Sequence, residues 1–277
     1  MPLLAKPIMT QYWRPGDDFL DIIARSVSGF CEEGDIVVIS EKAVSVAIGG
    51  IVDESRVYPT VSARILARFW MRLVWGYILG PLCHMSRKTL SRMRQYPIPE
   101  GEAHKEVTLR YAGFFQSLLH YSEGGIDVTN LPFSLAALPI SNAGEVAAVI
   151  SQAITERCKA NVTVMITDTD KTYSRQGKHL TPRPNAIPGI KPLGLFAVII
   201  GRTLRWTARA SPLAICGRFL DIESALSIAD AADRARGFGA GRTAWDMAKR
   251  FHVGLAGVTW EMLDRVQHYP VVVVKNV

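Results

Sequence analysis

The stretch GDIVVIS at 34–40 sets the tightest constraint on the fold. Ile36, Val37, Val38 and Ile39 are consecutive and apolar, so a strand made of them has no face to give to solvent and needs cover on both sides of its sheet. Helices fit for that cover are legible nearby. Phe19, Ile22, Ile23 and Val27 recur at helical spacing, as do Val146, Val149, Ile150 and Ile154 in 143–158, and Asp221 reads as the N-cap of a helix in DIESALSIADAADRAR. NVTVMITDTDKTYS is a β-branched strand that ends in Asp168, Thr169 and Asp170, and YPVVVVKNV is a closing strand. Strands and helices alternate without an internal repeat. The class is α/β (mixed α+β), with ligands expected at the carboxyl ends of strands.

Other segments read less sharply. EKAVSVAIGGIVDES (41–55) suggests a short polar bend and then a strand, PIPEGEAHKE (97–106) a loop, VTLRYAGFFQSLL (107–119) a strand or hairpin, and LGLFAVIIG (193–201) another strand. The apolar, aromatic segment 63–85 is broken by Arg64, Arg68 and Arg72, which leaves no charge-free run long enough to span a membrane. An amphipathic helix is expected there, with Ile65, Phe69 and Leu73 packing against the body or a second subunit.

At 277 residues, 48% hydrophobic and 21% charged, the chain can bury a sizeable core as one unit over 1–277, or as two subdomains split by the helical region at about 60–100. The net charge of +7 points to anionic partners. The four cysteines are widely spaced with no CxxC pair, which suits reduced packing residues in a cytoplasmic protein.

No GxxxxGK[ST], HExxH or GxSxG motif occurs. GFGAGRT (237–243) follows a helix rather than a strand and reads as a helix terminus. What remains is a pair of acidic sites, Asp127 in GGIDVTN (124–130) and Asp168. Gly-Gly, Asp and Asn are ordinary turn residues. They also suit close backbone approach and a hard cation, for which two carboxylates from separate segments leave positions open to phosphate and water. Thr169 could add an oxygen ligand, and Asn130 a hydrogen bond to a nucleotide.

Several segments, in order along the chain, resemble the coenzyme F(420)-0:L-glutamate ligases, the gamma-glutamyl ligase family. RPGDD (14–18) is similar to the family's PGDD turn, GDIVVISEKAVSVAIGGIVD (34–53) to GDVLVISSKVVSKAEGRIVD, GGIDVTN to AGIDESN, ITDTDKTYSR (166–175) to SDTFGRPWR, and YPVVVVKN (269–276) to PVVVVRG. The resemblance implies an intertwined homodimer and an enzyme that uses GTP and Mg2+ or Mn2+ to join L-glutamate to an anionic acceptor through an acyl phosphate. By position it implies Asp127 and Asp168 as metal-binding catalytic residues, Thr169 as a further metal ligand, Glu41, Lys42 and Asn130 as nucleotide contacts, and Gln267 as a C-terminal metal ligand.

Departures are also visible. The family lysine after VVS is Val46 here, so Lys42 or an arginine from 64–94 would have to supply its charge. Changes at 63–94 and in DKTYSR leave room for another small carboxylate acceptor, such as a folate-like one. A non-catalytic nucleotide- or RNA-binding protein is the remaining alternative, and the two aspartates count against it. Glu123, just upstream of the glycines, is expected to be a bystander.

Overall fold

The computed structural model describes residues 3–121 and 123–275. The strands among them are β1 (Ala5–Thr10), β2 (Ile36–Ser40), β3 (Ile51–Asp53), β4 (Leu135–Ala137), β5 (Thr163–Arg175), β6 (Lys178–Thr181), β7 (Lys191–Pro192), β8 (Thr207–Cys216) and β9 (His268–Val274). Seven make one mixed sheet in the order β1-β9-β2-β5-β6-β7, with β8 also pairing with β5, and β3 and β4 pair separately. β2 and β5 run parallel, from Ile36 opposite Thr163 to Ser40 opposite Thr167, so the carboxyl end of β2 lies beside the middle of β5, which does not end at Asp168–Asp170 as expected but continues past a bulge to Arg175.

The apolar run of β2 is covered on both faces, as its composition requires. Val37 and Ile39, with Val164, Ile166, Val271 and Val273, meet Ile23, Val27, Ile150 and Ile154 from the helices Phe19–Val27 and Ala143–Cys158. Ile36 and Val38, with Met165, Val272 and Val274, meet Ala225, Leu226 and Ala229 of the helix Ile222–Arg236. Each such side chain contributes about 1.5–3 kcal/mol by leaving water. The four cysteines are free thiols, as expected.

A helical segment lies over this body. It runs through Val61–Ile65, a widened π-helical stretch Leu66–Leu79, Arg87–Arg94 and Glu100–Tyr111. Met71, Trp75, Met93, Tyr96 and Leu119 pack together and against Tyr173 and Val198 of the body. The Trp70 and Trp75 indoles both donate to the Leu118 carbonyl, at 2.8 and 2.7 Å, and so hold the loop that leads to GGIDVTN. Of the two covers expected for Ile65, Phe69 and Leu73, the body is not the one: Ala67, Met71 and Trp75 are buried against it, whereas Ile65, Phe69 and Leu73 remain exposed. No helix of the described residues is long and apolar enough to cross a membrane.

Three local expectations are corrected. Residues 41–47 are a helix, and β3 that follows has only three residues. Residues 100–111, read as a loop running into a strand, form the helix Glu100–Tyr111, followed by a short helix Phe114–Ser117. This helix buries Glu102, Lys105 and Glu106, so its inward face carries no apolar period to read. LGLFAVIIG is the helix Leu195–Thr203, an instance of a short apolar run that periodicity cannot assign.

The buried polar face of Glu100–Tyr111 is held by ion pairs. His104 lies between Glu54 (Nδ1 to Oε1, 2.6 Å) and Glu123 (Nε2 to Oε2, 3.2 Å). Lys105 Nζ donates to Glu123 Oε1 at 2.8 Å and to the carbonyls of Ser117 and Leu119. Glu123 is therefore a structural anchor, not a bystander. Burial alone would push His104 toward its neutral form, but Glu54 and Glu123 outweigh it and raise its pKa from 6.5 to about 10. The imidazolium thus stabilises the fold fully below pH 6.5, progressively less as pH rises, and not at all above about 10. His104→Gln should cost about 3 kcal/mol or more near pH 6. In urea unfolding, the gap to wild type should narrow steadily toward pH 10, and a gap independent of pH would refute a charged His104.

Candidate functional site

The carboxyl end of β2, the bulge in the middle of β5, the GGIDVTN loop, the end of the helix Ile222–Arg236 and the start of β9 converge. Lys42, Asp127, Asn130, Asp168 and Thr169 line one narrow cavity of about 90 Å³. Lys42, Asp127, Asn130 and Thr169 also border an adjoining cleft of about 800 Å³, whose far wall comes from the helical segment.

The strand ends and loops fix each group. Lys42, in the first turn of its helix, donates from Nζ to Asp127 Oδ2 at 2.9 Å and to the Thr129 carbonyl at 2.8 Å. Asp127 also accepts from the Thr129 amide at 2.7 Å. Burial opposes ionisation of Asp127, but Lys42 and the Thr129 amide outweigh it and hold the carboxyl below its ordinary range. The ladder between β5 and β8 shifts register between Asp168 and Lys171, a bulge that takes Thr169 and Asp170 out of pairing and turns this stretch toward the cavity. Asp168 accepts from the Thr169 amide at 2.6 Å and lies 3.2 Å from Arg183 Nη1.

Arg183 is the central residue that sequence reading missed. It is fully buried: Nη2 donates to both Glu41 oxygens at 2.7 and 2.9 Å, and Nη1 donates to the Gly124 carbonyl at 3.1 Å. Glu41 also accepts from the Ile140 amide at 3.0 Å, so its carboxylate is engaged within the protein and lines neither cavity. Burial raises the Glu41 pKa to about 7 against the pull of Arg183. Burial likewise opposes the charge on Arg183, and Asp168 and Glu41 restore it and raise its pKa.

The other expected residues divide. Asn130, at a left-handed φ of 59°, accepts from the Ala240 amide at 2.7 Å and donates to the Phe238 carbonyl at 3.2 Å. It thereby ties GGIDVTN to the glycine-rich loop 237–243, which is a cleft wall as well as a helix terminus. Gln267 is exposed and lines neither cavity; its neighbour His268 lines the narrow one. His268 is stacked on Tyr12, is bonded through Nδ1 to the Gln11 carbonyl at 2.8 Å, and is held neutral by burial, with its pKa lowered to about 4. Val46 also faces the narrow cavity. The charge absent at Val46 does not come from 64–94, since none of those arginines lines either space; Lys42 and Arg236 are the cations at the narrow cavity. No spacing marks Arg183, Arg236 or His268 in the sequence. The Gly-Gly pair did signal a close approach without naming the partner.

Among the described residues no three His, Cys, Asp or Glu form a group that could hold a metal by themselves. Mg2+ sites commonly use one or two carboxylates, with phosphate and water completing the shell. Asp127, Asp168 and the Thr169 hydroxyl fit that incomplete set. Asp170, two residues past Asp168, lines neither cavity and is held toward its neutral form. Its Oδ2 is buried without a partner, and burial followed by the Asp168 charge pushes its pKa well above the ordinary range.

Gly125, at φ 100°, has no room for a side chain, because a Cβ there would lie 1.2 Å from Arg183 Nη1. Gly125→Ala should therefore displace the guanidinium and destabilise the protein by about 3 kcal/mol or more. Thermal unfolding checks this, with Gly16→Ala as a comparison at a positive φ with open space around it.

Comparison with known proteins shows the family. An uncharacterized protein of Methanocaldococcus jannaschii is 34% identical over 284 residues, spanning 98% of this chain and 96% of that protein. The family model described as F420-0:Gamma-glutamyl ligase matches residues 7–211, from β1 into β8, and so includes the GGIDVTN loop, the β5 bulge and Arg183. With most of its length matched, the chain belongs to the F420-0:gamma-glutamyl ligase family.

Proposed function

We propose that this protein is a GTP- and divalent-metal-dependent ligase that joins L-glutamate to a small carboxylate acceptor through an acyl phosphate, coenzyme F(420)-0 being the acceptor that the family suggests. The observation that carries the reading is the convergence of Lys42, Asp127, Asn130, Asp168 and Thr169 on one narrow cavity that adjoins a cleft large enough for a nucleotide or acceptor. A net positive chain suits three anionic substrates.

Asp127 and Asp168, with Thr169, would hold Mg2+ or Mn2+, which would supply charge neutralisation on phosphate during phosphoryl transfer. Lys42 keeps Asp127 ionised and presents an ammonium beside it for a phosphate oxygen. Arg183 holds Asp168 from behind and fixes the orientation of the carboxylate. Asn130 acts through the loop 237–243, which it ties to GGIDVTN as part of the cleft wall. A different small carboxylate acceptor is the second reading, favoured by the valine at the narrow cavity and by the wall that the helical segment builds.

Asp127→Asn and Asp168→Asn should each lower metal-dependent phosphate release from nucleotide by about a hundredfold or more, because each removes an anion beside the transferring group. Lys42→Ala should weaken GTP binding by roughly 1.5–3 kcal/mol. Calorimetry with GTP, ATP and GDP in Mg2+ or Mn2+ checks both effects. Unchanged Mn2+ binding in both aspartate variants would remove the metal assignment, a preference for ATP would replace the phosphate donor, and no nucleotide binding at all would end the ligase reading.

The exposed row Ile65, Phe69 and Leu73 is proposed to lie in a homodimer interface. Phe69→Glu should convert a dimer to a monomer in sedimentation velocity, and a monomeric wild type at micromolar concentration would refute the interface.

A further inference from the structure

The cleft that Asp127 borders also holds two groups that the proposed chemistry does not use. His120 is 5% exposed, lines the cleft, and its Nδ1 is buried with no hydrogen-bond partner. Its ring lies 4.2 Å from the Trp75 ring and 4.8 Å from that of Tyr121. Burial, with the nearby charge of Arg202 next, keeps it neutral. Arg202, at the end of the helix Leu195–Thr203, also lines the cleft and is half-buried. Its Nε donates to the Tyr173 hydroxyl at 3.2 Å, and among the described residues no carboxylate pairs with its terminal nitrogens. The other cleft cations are differently engaged: Lys42 with Asp127, Lys171 with Asp233, and Arg242 over the Phe238 ring.

A half-buried guanidinium with free N–H groups beside a neutral, unsatisfied imidazole is a receptor for an anion, since guanidinium binds carboxylate or phosphate through paired hydrogen bonds. Tyr96, Tyr121 and Trp245 border the same cleft and suit a flat apolar body. We propose that Arg202 and His120 form a second anion subsite, and that the acceptor carries two anionic groups. One is the carboxylate that reacts near Asp127 and Asp168; the other is a carboxylate or phosphate bound by Arg202 in the same cleft. The placement of the reacting carboxylate rests on the ligase reading, whereas the subsite itself does not.

The test is calorimetry on the full chain with aromatic probes of increasing span. Benzoate and 2-naphthoate are compared with benzene-1,4-dicarboxylate, naphthalene-2,6-dicarboxylate and biphenyl-4,4'-dicarboxylate. At least one dicarboxylate should bind wild type about tenfold tighter than the monocarboxylates. Arg202→Gln should erase that gap with GTP affinity unchanged, and His120→Phe, which keeps the ring packing, should narrow it. If R202Q does not fold, Arg202→Lys carries the test, because an ammonium lacks the paired N–H geometry and should shrink the gap. Wild type that binds every probe equally overturns the doubly anionic acceptor, and probe binding undiminished in these variants overturns the subsite. Phosphate release assayed in parallel separates the two claims: no turnover with any acceptor ends the ligase reading and leaves the subsite to the calorimetry.

Discussion

The site depends on one buried cation. Arg183 has no exposure, and its guanidinium joins three parts of the chain: Glu41 just past β2, the Gly124 carbonyl in the GGIDVTN loop, and Asp168 in β5. Removing one partner from such a buried pair typically costs about 3–5 kcal/mol, because the remaining charge cannot be rehydrated. The pairing therefore acts less as a source of net stability than as a specification of geometry. Neither carboxylate can drift without stranding the cation, and Gly125 must stay a glycine to let it pass.

The same logic holds under the helical segment, where Glu54, His104, Glu123 and Lys105 replace an apolar interface. A segment pinned by charges keeps one arrangement over the cleft, while the apolar cluster of Met71, Trp75 and Leu119 supplies the burial that a polar face cannot. The widened helix 66–79 brings two indoles to one carbonyl at Leu118, which leaves that loop little freedom. The walls of the cleft are thus set by directional contacts on both sides.

What was legible in the sequence follows from where apolar burial does the specifying. The strand 36–40 and the helices at 19–27 and 143–158 announce themselves because consecutive residues of a strand covered on both faces and one stripe of each helix are apolar. Asp127, Asp168, Thr169, Lys42 and Asn130 were legible from resemblance, and the fold does bring them to one cavity, although Asp168 and Thr169 sit at a bulge within β5 and not at the strand end expected. The helix 100–111 was not, because it buries Glu102, Lys105 and Glu106, and each of these is satisfied by a partner distant in sequence. Arg183 was hidden for the same reason: its partners lie 142 and 59 positions away, and only the fold brings them together. Glu41 shows the converse, a position matched by motif whose side chain faces Arg183 and not the cavity.

The placement of β9 has a consequence for how the molecule is made. It lies between β1 and β2, pairing with both, although it follows nearly the whole chain in sequence. During synthesis β1 and β2 have no direct pairing to form, and Val271 to Val274, which fill both apolar layers, arrive after every other strand. The nascent chain therefore carries open strand edges on β1 and β2 until residues 268–274 have left the ribosome, a period in which such edges invite association with other chains. The cavity that His268 helps to line is likewise completed only when that strand inserts, so an interrupted chain cannot display a finished site.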